Sequence, residues 1–175
     1  MTKTRPLAGL PPALVVVLGA VAIALGAQIS LPMVPVPMTL QTLAVVLIGL
    51  LAGPMLGAGS AGLYLACVLV GLPVLSSAQQ AGGTAFSEFL GAGYVVGFLP
   101  GAAVAGYLGH GKDFLQRLLA GLVCHLVVLV LGAAVLAFWR GAGVAWEHGV
   151  LPFLIGAVVK SLIAAALIGW TGDRS

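Results

Sequence analysis

Charge is what this chain has least of. Its 175 residues include seven lysines and arginines and four carboxylates, so only 6% are charged. A soluble domain carries about 25% charged residues, which excludes an ordinary soluble fold. Cysteine is scarce as well. Cys67 and Cys124 both fall within apolar runs, without metal-ligand spacing and without a disulfide framework. Both read as small buried apolar side chains. A Gly-x-x-x-x-Gly-Lys-Ser/Thr loop is missing, so any ATP hydrolysis has to occur on a partner. The formal net charge of +3 does not point to nucleic acid, because the few cations sit mostly at segment ends, where topology explains them.

Apolar sequence is abundant instead, at 61%. Repeated runs long enough to span a bilayer predict an all-α, multi-pass membrane protein. About six spans fit this length. They fall near 11–27, 39–53, 57–75, 85–109, 115–139 and 150–170, in a single transmembrane domain over 1–175, which leaves no room for a catalytic head. Lys3 and Arg5 ahead of an apolar stretch ending near Ala22-Ile23-Ala24 have the look of a signal peptide. The stretch continues to about Ala27 and another membrane region follows, so it is read as an uncleaved first span.

Lys3, Arg5, Lys112, Arg117 and Arg174 share one side of this layout and Arg140 lies on the other. The positive-inside rule then predicts both termini in the cytoplasm and a protein of the cytoplasmic (inner) membrane. Three weakly charged loops meet outside: the Pro-rich loop from Gln28 to Met38, the loop from Ser76 to Thr84, and Arg140 to His148. Their convergence predicts an outward-facing pocket. Pro32, Pro35 and Pro37 preclude a regular helix in the first loop and favour extended backbone. An extended apolar segment at a membrane face is expected to bury itself in protein, since lipid cannot satisfy its backbone. Gly53-Pro54-Met55-Leu56-Gly57 marks a turn between the second and third spans.

Lys160 is the seventh cation, and it lies about half way along the last apolar run, Leu151 to Trp170. An ammonium there costs about 2.5–3.5 kcal/mol on insertion scales. Such a residue is kept where it faces a protein interior, an aqueous cavity or a ligand, and an anionic group is its simplest partner. The alternative is a lysine snorkelling to an interface. Small residues recur every fourth position at Gly93, Gly97, Gly101, Ala105 and Gly109, which predicts close packing of the fourth span within the bundle.

The block Val36-Pro37-Met38-Thr39-Leu40-Gln41-Thr42-Leu43 is followed by Gly49, Gly53-Pro54, Gly57, Tyr64, Gly71-Leu72-Pro73-Val74 and Gly93-Tyr94-Val95-Val96-Gly97-Phe98. Phe153-Leu154, Gly156 and Lys160 complete a series that resembles the biotin-specific S components of ECF (energy-coupling factor) vitamin transporters, the BioY family. The resemblance implies a six-helix S-component bundle that takes biotin from outside. It also implies a partner, a transmembrane coupling subunit with two ATPases, or self-association where no such module is used. In that setting Ala20-x-x-x-Ala24 on the first helix looks like a docking face for the coupling subunit; internal packing is the other reading. Two positions depart from the family pattern. Ala157 stands where many members have Asp in Gly-Asp-x-x-Lys, and Phe89-Leu90-Gly91-Ala92 replaces Gly-Pro-Thr-Gly ahead of Gly93-Tyr94.

Biotin offers a fused ureido–thiophane bicycle, an aliphatic chain and a carboxylate, so its site needs apolar walls, a few amide-like partners and a cation. Lys160 could meet the carboxylate or donate to the ureido oxygen. Tyr94 could wall the bicycle or belong to an aromatic belt. Gln41 and Thr39 stand where the Pro-rich loop enters the second span, and buried they require either an interhelical partner or a ligand. Gln79 and Gln80 read as a lid or as plain solvated loop. Glu88 reads as an acid at a helix start. His125 reads as a packing histidine or a proton relay. Arg140 reads as a helix-end residue or as a steering charge.

No resident cofactor and no metal site are expected, and no catalytic residues. A serine hydrolase would need Ser60 with His125, but Ala58-Gly59-Ser60-Ala61-Gly62 is not a nucleophile elbow and no acid completes a triad. An S component for another small vitamin is the nearest alternative on the same fold. A scaffold whose glycine stripe binds partners is a more distant one.

Overall fold

The computed structural model describes residues 7, 9–76 and 90–172. The elements run α1 (Pro12–Gln28), β1 (Ser30–Leu31), β2 (Met38–Thr39), α2 (Gln41–Leu69), α3 (Ala92–Gly109), α4 (Phe114–Arg140), α5 (Ala142–Gly149) and α6 (Leu151–Gly172). Four helical stretches, Gln41–Leu69, Ala92–Gly109, Phe114–Arg140 and Ala142–Gly169, are long and apolar enough to cross a membrane, and α1 is a shorter apolar helix of 17 residues. The chain is a multi-pass, mostly helical membrane protein.

α1 opens on Pro12, whose missing N–H is no loss in a first turn. Its buried positions, Val15, Gly19, Ala20, Ile23, Gly26 and Ala27, recur every three or four residues, while Leu14, Val17, Leu18, Val21 and Leu25 point outward. The inward face is small-sided, so α1 lies close on α2.

After α1 the chain makes a small antiparallel hairpin, with Ser30 opposite Thr39 and Leu31 opposite Met38. The three prolines occupy its connection, which is free of helix as expected but bends over residues 34–36 rather than running extended. Burial of this loop is only partial. Val36 and Pro37 are inside, but Val34 is 86% exposed and Leu31 also faces out. The first half of the loop therefore turns away from the bundle, contrary to the expectation that the whole segment would bury itself.

α2 consists of two helical limbs joined at a sharp break. Gly53 has φ +83° and ψ 179°, a conformation L residues rarely adopt, and Pro54 starts the second limb. Residues 41–52 and 54–69 fold back on each other. A Cβ at Gly57 would lie 2.9 Å from the Gly49 Cα, and the Gln41 and Tyr64 side chains are hydrogen-bonded. Residues 23 apart in a straight helix would be separated by roughly 35 Å. The predicted turn is therefore a one-residue reversal. The second limb ends at Leu69 rather than near 75, because Gly71 at φ +81° closes it with Leu72 N–H donating to Cys67 C=O at 3.0 Å.

α3 sits between α2 and α4. Its glycine stripe faces α4, where a Cβ at Gly97 would be 3.1 Å from the Val128 Cα and one at Gly101 3.1 Å from the Cys124 Sγ. This is the close helix approach expected from its small residues. α4 is capped by Asp113, whose Oδ1 accepts from Gln116 N–H at 2.9 Å. The outer loop expected from Arg140 to His148 is instead mostly a short helix, α5, set off from α4 by Gly141 at φ +87°. Residues 85–89 of the predicted fourth span lie outside the described residues.

Candidate functional site

A cavity of about 40 Å³ lies where the β2–α2 junction, α3, α4 and α6 converge. Its walls are mostly apolar: Val36, Val95, Phe98, Val128, Leu129 and Phe153. Its polar lining is Thr39, Gln41, Thr42, Tyr94, His125 and Lys160.

Lys160 comes from the middle of α6 and is 8% exposed. Its Nζ donates to the Thr39 C=O at 2.6 Å and to the Thr42 Oγ1 at 3.1 Å. The lysine does not snorkel; it crosses to the start of α2. None of the described carboxylates, Asp113 and Glu147, lines the cavity, so the ammonium faces it without a counter-ion from the described residues. Ala157, one turn earlier on α6, adds only a methyl group to the wall.

Gln41 is 1% exposed and anchors a polar chain. Thr39 Oγ1 donates to Gln41 Oε1 at 2.8 Å and accepts from Gln41 N–H at 3.3 Å. Gln41 Nε2 donates to the Tyr64 hydroxyl, which donates to the Val74 C=O at 3.3 Å. The interhelical link expected of the Thr39 side chain is made by its carbonyl instead, to Lys160. The arrangement follows from the chain reversal at Gly53, which brings Tyr64 back beside Gln41.

Tyr94 lies near the start of α3, buried, with its ring stacked on Phe153 at 5.9 Å between centroids. Its hydroxyl donates to the Gly149 C=O at 2.8 Å, so the ring forms a wall while the hydroxyl braces the end of α5. Gly132 makes room for that ring, since a Cβ there would overlap three of its carbons.

His125 is placed in the same cavity by α4, and Thr42 by α2. Neither was singled out as a binding residue from sequence. For Thr42 the usable signal was its spacing from Thr39, which puts both beside the same helix start. For His125 it is a lone imidazole in the apolar middle of its helix.

Other expectations are placed as follows. Gln79, Gln80 and Glu88 lie outside the described residues. Arg140, Glu147 and His148 are exposed. Ser60 Oγ donates to Leu56 C=O at 2.8 Å and sits against Gly19, whereas the His125 ring is held to Gly121 and Ser161. The two halves of a serine–histidine pair are not brought together. Ala20 is 7% exposed and belongs to the core, with Ala24 half-buried beside it. The Ala20-x-x-x-Ala24 pair packs inward in the isolated chain, as its internal-packing reading has it. The face α1 presents outward is its row of Leu and Val.

The BioY family model matches residues 2–172. A probable biotin transporter BioY of Pyrococcus horikoshii is 39% identical over 142 residues, covering 81% of this chain and 84% of that protein. A biotin transporter BioY of Rhizobium etli is 37% identical over 158 residues, covering 84% and 83%. Among solved structures, the S component for biotin from an ECF-type ABC transporter superposes with a TM-score of 0.76 at 22% identity, over 94% of this chain and 92% of that one. That likeness shows a shared fold. Family model and relatives together settle the assignment: this chain is a member of the BioY family.

Proposed function

We propose that the chain is the biotin-binding, substrate-specificity subunit of a vitamin-uptake system in the cytoplasmic membrane. The observation that carries this reading is Lys160: a buried ammonium, without a described carboxylate, facing an apolar-walled cavity. A lone buried charge is costly unless an acceptor-rich partner joins it. Biotin supplies oxygen acceptors at both ends and an apolar body for the walls, and the relatives are named biotin transporters. Lys160, Tyr94, Gln41 and Thr39 form the site in this reading, with Gln79 a further candidate from the sequence.

Ligand pockets usually measure about 300–1,000 Å³. At about 40 Å³ the cavity accepts biotin only as its walls part. The stacked Tyr94–Phe153 pair joins α3 to α6 there, so its separation is the natural opening movement.

The proposed topology has six passes in a single domain, and the six apolar helical segments, α1, the two limbs of α2, α3, α4 and α6, support it. The positive-inside rule then sets both termini in the cytoplasm. The subunit needs no cofactor of its own. ATP would act through a coupling subunit with two ATPases, or a second copy of the chain would replace that module.

Titration of biotin into the purified, detergent-solubilised protein tests the reading. Saturable one-to-one binding in the nanomolar range is expected, unaffected by excess of other water-soluble vitamins. Absence of biotin binding by folded protein, or displacement of biotin by another vitamin at lower concentration, would overturn it.

A further inference from the structure

We infer that His125 is the hydrogen-bond acceptor that reads a ureido N–H of the bound vitamin. This rests on the biotin reading of the same cavity. It assigns a role to a residue on α4, the helix that otherwise supplies only apolar wall.

The ring's hydrogen bonds fix its tautomer. Nδ1 lies 2.9 Å from the Gly121 carbonyl oxygen and 3.1 Å from the Ser161 Oγ. A carbonyl only accepts, so Nδ1 carries the proton. The Ser161 hydroxyl proton is spent on the Ala157 C=O at 2.7 Å, which leaves its oxygen as a second acceptor for the same N–H. In the neutral ring Nε2 is then a bare lone pair. His125 is 5% exposed, its ring lines the cavity, and Nε2 has no hydrogen-bond partner among the described residues.

Every other polar side chain of the lining is engaged. Thr39 and Gln41 bond each other, Thr42 accepts from Lys160, and Tyr94 donates to Gly149. Among the described residues Nε2 is therefore the unfilled acceptor of the lining, and buried acceptors are costly to leave unfilled. At neutral pH biotin carries donors at one place only. Its carboxylate, thioether and aliphatic chain have none; its two ureido nitrogens each have one N–H. Whatever fills Nε2 from biotin is a ureido N–H. The same logic places the ureido ring at the level of His125 on α4, beside Lys160 on α6.

The test compares biotin with biotin methylated at each ureido nitrogen in turn, on wild type and on two variants. His125→Met keeps bulk and removes the acceptor; His125→Gln keeps an acceptor oxygen. A hydrogen bond of this kind corresponds to about 10- to 100-fold in affinity. Wild type should bind biotin about that much more tightly than one of the methylated analogues. His125→Met should lose biotin affinity by the same factor and bind that analogue no worse than wild type does. His125→Gln should retain part of the discrimination. Equal biotin affinity in wild type and His125→Met would overturn the inference, as would equal losses for biotin and both analogues, which mark a purely structural histidine. Should His125→Met not fold, the wild-type comparison decides, and equal binding of biotin and both analogues refutes the assignment. Wild type that does not bind biotin at all would overturn the transport reading and this inference together, whereas wild type that binds it without discrimination overturns the inference alone.

Discussion

Replacing Lys160 with Met separates the two things the lysine does. Methionine keeps most of the unbranched length but removes the charge and its donors. In the ligand-free protein the change deletes two hydrogen bonds, to the Thr39 C=O and the Thr42 Oγ1. Both are bonds to a charged group, worth about 1.5–3 kcal/mol each, so the pair is worth about 3 kcal/mol at the low end. Against this, a buried ammonium costs about 2.5–3.5 kcal/mol in a spanning helix, and that cost vanishes. The two effects are similar in size, so the melting temperature in detergent should move by only a few degrees. Biotin affinity behaves differently, because the bound state loses a charged donor to a ligand oxygen. About 1.5–3 kcal/mol corresponds to a Kd raised roughly 10- to 150-fold. Calorimetric titration gives the Kd, and thermal unfolding of the same samples gives the stability. An unchanged Kd would refute the placement of Lys160 in the site. A Kd raised only in step with gross destabilisation would make the lysine a structural residue instead.

Three further outcomes follow from the packing. Gln41→Leu removes the amide between Thr39 and Tyr64, leaving buried hydroxyls short of partners, and should lower stability by about 1–3 kcal/mol, read from thermal unfolding. Gly132→Val should push the Tyr94 ring off α4 and weaken biotin binding, with a smaller effect on folding in a Tyr94→Leu background; equal damage in both backgrounds would show that Tyr94 is not the obstacle. Ala20→Trp should reduce the yield of folded, monodisperse protein, because Ala20 is in the core; normal folding with a selective loss of transport would restore it as a docking residue.

Much of this layout was legible in the sequence because its signals are local. Gly53-Pro54 announces a break whichever helices flank it, and three prolines forbid helix between Leu31 and Met38. Lys160 stood out because a charge in an apolar run is anomalous whatever it touches. The remainder depended on helix register across the bundle. Ala20-x-x-x-Ala24 reads the same whether it faces lipid, a partner or α2, and only the packing of α1 shows that it faces inward. The Tyr94 hydroxyl was open to a ligand on paper, but α5, a short helix in an expected loop, places the Gly149 carbonyl in front of it. His125 is the clearest case. Its relation to Ser161 spans 36 residues and exists only because α4 and α6 pack side by side.

The hydrogen bonds of the cavity also bear on how a ligand is sensed. Lys160 does not wait in open space; it is tied to the carbonyl of Thr39, the last residue of β2, and to Thr42 in the first turn of α2. A ligand oxygen that recruits the ammonium must compete with one or both bonds. The exchange itself then adds little, since one acceptor replaces another, whereas deleting the donor leaves the ligand oxygen unpaired and costs more. Most of the affinity must come from the apolar walls, and the polar groups supply selectivity and coupling. The coupling has a defined path. Thr39 is held to Gln41, and Gln41 to Tyr64 and through it to Val74, so a shift of Lys160 bears on the hairpin after α1 and on the end of the second α2 limb. Both segments border the expected outer face. The cavity lysine and both of these segments thus belong to one hydrogen-bonded network. In a Gln41→Leu protein that retains the fold, protection of residues 30–39 from hydrogen exchange should no longer rise even at saturating biotin. Unchanged protection in that variant would break the proposed link.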